Sequence, residues 1–95
     1  MDNEIREIIR KIRPVLTRYG IDSASIVGSF AHGDQTGKSD VDIVVDITEP
    51  MSLLTFSTLK TELEELLHRK VDLLERSAIK ERLKKFIFSK EIRVA

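Results

Sequence analysis

Apolar residues along the chain recur at two different spacings. Ile5, Ile8, Ile9, Ile12, Val15 and Leu16 share one stripe of a helix, with acids early in the segment and arginines or lysines on its other side. Pro14 removes one amide donor and predicts a kink, and Gly20 supplies the stop. "SASIVGSF" predicts a short strand over residues 24–28. In "VDIVVDI" the spacing drops to two: Asp40, Asp42, Val44 and Asp46 project one way, and Val41, Ile43, Val45 and Ile47 the other. Helical spacing returns with Phe56, Leu59, Leu63, Leu66 and Leu67, and "KVDLLE" predicts a third strand. Ser77 is placed to cap a last helix whose buried face is Ile79, Leu83, Phe86 and Ile87. The tail "EIRVA" is compatible with a short strand or a frayed end.

The order helix, strand, loop, strand, helix, strand, helix predicts an α/β (α+β) layer structure with a small mixed sheet packed by helices. The first two strands, joined by the 28–39 loop, can pair antiparallel, and the long helix between the second and third allows a parallel crossover.

Composition narrows the classes. A chain of 95 residues supports one core and not a second, so residues 1–95 are read as a single domain. Lys plus Arg and Asp plus Glu number 16 each, which gives no global electrostatic case for nucleic acid or an anionic membrane. The absence of cysteine excludes disulfides and thiolate metal sites. No apolar stretch approaches a bilayer span, the N-terminus does not read as a signal peptide, and a cytoplasmic location is expected.

Two motifs compete for phosphate chemistry in "GSFAHGDQTGKSDVDIVVDI". Gly37-Lys38-Ser39 resembles the end of a P-loop, but the first glycine of that motif would have to stand where His32 does, and Gly33 comes one residue too late. The lysine and serine also lead into a strand, where no helix N-terminus receives the phosphates. Asp40 and Asp42 survive the same test. Residues i and i+2 of a strand share a face, so two carboxylates stand side by side and repel unless a cation joins them. Oxygen ligands of this kind suit Mg²⁺ or Mn²⁺. Asp72 lies between aliphatic residues of the third strand and completes the set if that strand lies beside the second. Gly28 lets backbone approach a phosphate, and the Ser29 hydroxyl can bond its oxygens. Lys38 reads as an exposed turn lysine and His68 as part of a helix C-terminus.

Gly28-Ser29, ten intervening residues and Asp40-x-Asp42 resemble the G-S-x₁₀-D-x-D signature of the nucleotidyltransferases related to DNA polymerase β, and "GSFAHG" and "SDVDIVV" are similar to its minimal (MNT) members. The resemblance extends over nearly the whole chain. It implies that Gly28 and Ser29 hold the triphosphate of ATP, that Asp40, Asp42 and Asp72 bind Mg²⁺, and that Asp72 helps deprotonate an attacking hydroxyl. His32 stands where many members have arginine, which implies weaker or pH-dependent triphosphate binding. Small members resemble MntA-type antitoxins paired with an all-helical HEPN toxin, so the implied reaction is transfer of AMP to a tyrosine of that partner. The competing expectation is a catalytically weak or inactive nucleotide-binding antitoxin that neutralises its partner by binding alone.

Overall fold

The computed structural model describes residues 3–33 and 40–95, apart from the side chains of Ser29 and His32. The P-loop remnant Gly37-Lys38-Ser39, and with it the reading of Lys38, lies outside these residues.

Helix α1 (Asn3–Arg18) continues through Pro14 and buries the predicted stripe from Ile5 to Leu16. Tyr19 and Gly20, the latter at φ +76°, end it, and the chain turns into β1 (Ala24–Val27). Gly28 follows, then a single helical turn α2 (Ser29–His32). The sequence reading left this segment as loop, because four residues are too few to show a helical period. Strand β2 (Val41–Val45) leads through Asp46 to α3 (Leu53–Leu67). Ser52 caps α3 by accepting a hydrogen bond from the Thr55 amide at 3.0 Å. His68 ends α3 in the left-handed conformation at φ 55°. Strand β3 (Val71–Glu75) follows, then a short 3₁₀ turn at Arg76–Ala78, helix α4 (Glu81–Ile87) and β4 (Ile92–Arg93).

The sheet order is β3-β2-β1-β4. β1 pairs antiparallel with β2 and with β4, and β2 pairs parallel with β3 through the α3 crossover. The mixed sheet of the sequence reading is therefore present, and the tail "EIRVA" is an edge strand that buries Val94 beside β1.

Ile26, Ile43 and Leu73 occupy one row across three strands and face α1 and α3, where Ile12, Leu16, Leu59 and Leu63 complete a dry core. Burial of such side chains contributes roughly 1.5–3 kcal/mol each relative to exposure. Arg18 and Tyr19 at the end of α1 both reach Glu62 on α3, tying the two covering helices together.

Two expectations for the C-terminal part are corrected. Ser77 does not cap the last helix: its hydroxyl donates to Glu75 Oε1 at 2.7 Å within the 3₁₀ turn, and α4 starts after Lys80 with no side-chain cap. The face Ile79, Leu83, Phe86 and Ile87 is not buried either. No residue of α4 is buried, and Leu83 and Phe86 are 43% and 80% exposed. Amphipathic spacing shows that a helix has an apolar stripe, not that something in the same chain covers it.

Candidate active site

The opposite face of the sheet carries the acids. Alternation along β2 turns Asp42 away from the core, and the register places it level with Val27 of β1 and Asp72 of β3. The row Val27–Asp42–Asp72 thus crosses three strands, and in a parallel pair aligned residues point to the same side. The neighbouring row is Ser25–Val44–Leu74.

Gly28 is fitted to this row. Its φ of +74° lies in the left-handed region that glycine adopts without cost, and a Cβ built on it would sit 2.1 Å from Asp42 Oδ2. The space a side chain would take belongs to the aspartate. The sequence reading gave Gly28 the role of opening the backbone to a phosphate; the structure adds that it makes room for a carboxylate.

Asp42 and Asp72 interact directly. Partial burial, a hydrogen bond to Asp72, and the negative charges of Asp72 and Asp40 push the Asp42 carboxyl up to about 6. Asp40 stands one residue ahead of β2, and its field is the weakest of these influences. Register thus brings Asp72 level with Asp42 on the neighbouring strand, as the sequence reading required for a third acid. Among the described residues no three acidic or histidine side chains form a ready cation cage. The donor set still fits a hard divalent cation: two converging carboxylates and a third nearby carry negative charge that burial makes unfavourable, and a cation offsets it. Asp46, which shares the alternation, is engaged elsewhere. It pairs with Arg76 at 3.2 Å and accepts from Ser23 at 2.9 Å, so it buttresses the strand end.

Beside the acids, Phe30 of α2 is fully buried, and the Arg69 guanidinium lies 5.1 Å from its ring centre. This contact fixes the turn after Gly28 against the segment entering β3. The side chains of Ser29 and His32 are outside the described set. The sequence reading missed a second feature, an apolar groove beyond the end of β3 that includes Leu53, Leu74 and Leu83. Leu53, opening a helix ahead of the Phe56–Leu63 stripe, and the apolar stripe of the last helix were its visible signals.

The sequence profile of the polymerase β nucleotidyltransferase family matches residues 10–95, and the chain belongs to that family.

The most informative relatives narrow the comparison. A protein of Methanocaldococcus jannaschii, provisionally named a protein adenylyltransferase, is 44% identical over 90 residues, covering 95% of this chain and 97% of its own length. The protein adenylyltransferase MntA of Thermococcus cleftensis is 38% identical over 77 residues, covering 81% of this chain and 78% of the relative. Among solved structures, a minimal nucleotidyltransferase superposes with a TM-score of 0.81 at 29% identity, over 97% of this chain and 95% of the other. An MNT antitoxin solved with a tri-AMPylated HEPN toxin of Shewanella oneidensis has a TM-score of 0.75 over 95% of this chain and 71% of the other. At 17% identity that likeness bears on the fold alone.

Proposed function

We propose that this protein is a Mg²⁺-dependent adenylyltransferase that moves AMP from ATP to a tyrosine hydroxyl of a HEPN-type toxin, acting as the antitoxin of a cytoplasmic two-protein module. The observation that carries the reading is the Asp42–Asp72 pair, in register on adjacent strands, with Gly28 leaving its side-chain space to Asp42. The adenylyltransferase names of the relatives, one of them alike over nearly its whole length, support the transferred group and the protein acceptor.

In this reading Asp40, Asp42 and Asp72 hold the cation, which when bound neutralises charge on the triphosphate. The backbone at Gly28 and the Ser29 hydroxyl hold the phosphates. The acceptor oxygen attacks the α-phosphorus, the bond to the bridging oxygen of the β-phosphate breaks, pyrophosphate leaves, and the hydroxyl proton passes to Asp72. Beyond this the protein orients the reactants and fixes charges in advance.

The test is incubation of the purified protein with a HEPN-type partner, labelled ATP and Mg²⁺. Wild type is expected to add AMP to a partner tyrosine, and Asp42→Asn and Asp72→Asn are expected to transfer none. If wild type and Asp42→Asn protect cells equally while no label reaches the partner, neutralisation is by binding alone.

A further inference from the structure

An open groove of about 950 Å³ lies outside the acidic site. It is lined by Leu73 and Leu74 at the end of β3, by Leu53 and Phe56 of α3 and by Leu83 and Ile87 of α4. Leu53 is 83% exposed and Leu74 37%, and Leu54 and Phe86 are exposed as well. Apolar surface of this extent, rimmed by charge, marks a place where a partner sits.

Three observations indicate what covers it. First, the outer edge of β3 is blunted, because the Val71 amide donates to Glu64 Oε2 at 3.0 Å, which disfavours an added strand. A groove between two helices instead accepts the apolar face of a third, presenting anchors at i, i+3, i+4 and i+7. Second, the lining is uneven in charge. Lys80 and Arg82 line the groove on the α4 side, where α4 also carries Lys84 and Lys85 against Glu81, whereas Glu49 and, at the end of β3, Glu75 line it elsewhere. An incoming helix with acids along one flank is matched on the α4 side. Third, the groove reaches the row next to the acids. Leu74 lies two residues beyond Asp72 on the same side of β3, about 7 Å along the strand.

We infer that this groove docks an acidic-flanked amphipathic helix of the acceptor protein and thereby presents the acceptor hydroxyl to the Asp42–Asp72 pair. The inference rests on the reading that a protein supplies the acceptor. It assigns recognition of the acceptor protein to α4 and the start of α3.

Leu53→Glu and Leu83→Glu replace exposed side chains, and Arg82→Glu reverses a basic charge of the lining without touching the core. Calorimetric titration with the HEPN-type partner is expected to show affinity reduced about tenfold or more by each leucine variant. Arg82→Glu is expected to weaken binding and flatten its dependence on salt. ATP affinity and the melting temperature are expected to stay at wild-type values. Partner binding and labelling unchanged in all three variants would overturn the groove assignment while leaving the adenylyltransferase reading intact. Loss of binding in the variants, with no label on the partner bound to wild type, would support the groove and remove the transfer reading. Sedimentation showing a wild-type dimer and monomeric variants, with partner affinity unaltered, would assign the face to a second copy of the chain and overturn the inference.

Discussion

Ile26, Ile43 and Leu73 form a row on one face of the sheet; a single step along the same three strands, Val27, Asp42 and Asp72 form a row on the other. The first row lies under α1 and α3 in a dry core. The second carries acids whose charge, with partial burial, raises the Asp42 carboxyl. The backbone is shared, so the difference lies entirely in what alternate side chains meet. One face holds the fold together with enough margin for the other to carry repelling carboxylates.

The strongest way to sharpen this contrast is to remove charge from the acidic row. Asp42→Asn and Asp72→Asn are each expected to lower AMP transfer by about a thousandfold or more, the scale of losing a preorganised electrostatic group, measured by single-turnover labelling. Neither substitution is expected to unfold the protein.

A cavity on the core face does the reverse. Leu63→Ala is expected to cost about 3 kcal/mol of stability by denaturant titration, because Leu63 is fully buried against both α1 and the sheet. Leu83→Ala on the groove side is expected to cost less than about 1 kcal/mol. Equal losses at the two positions would erase the distinction between the faces.

Gly28→Ala tests the fit between the two elements of the site. A left-handed alanine costs about 1–2 kcal/mol, and its methyl group would displace the Asp42 carboxylate. Both metal affinity and thermal stability are expected to fall, and retention of wild-type metal affinity would show that Asp42 has another resting place.

The smallest effect is on pH dependence. Asp42 is raised from 3.8 to about 6 in the folded state, so between these values the native protein binds more protons than the unfolded chain. Its contribution to stability is therefore greatest below the lower value and is lost as pH rises through the higher. The metal-free protein is expected to gain on the order of 1 kcal/mol from this group between neutral and mildly acidic pH, after allowance for solvent screening. In Asp42→Asn that gain should vanish, and saturating Mg²⁺ should suppress it in wild type.

Sequence by itself determined the main helices and strands and the mixed sheet, and singled out three aspartates as candidates, because these follow from local period and from residue chemistry. The stripe Ile5–Leu16 and the alternation of "VDIVVDI" each report one face of one element, and the G-S-x₁₀-D-x-D spacing lies within one short segment. The one-turn α2 left no such trace, and Ser77 satisfied a capping pattern one turn too early because its hydroxyl found Glu75 first.

Only the tertiary structure decided which residues meet across elements. Strand register, a non-local property, brought Asp42 level with Asp72 on the neighbouring strand. Packing left the apolar stripe of α4 on an open groove although its spacing matches that of the buried α1. A periodic pattern records that a side chain avoids water; where it goes depends on neighbours that the chain brings together only on folding.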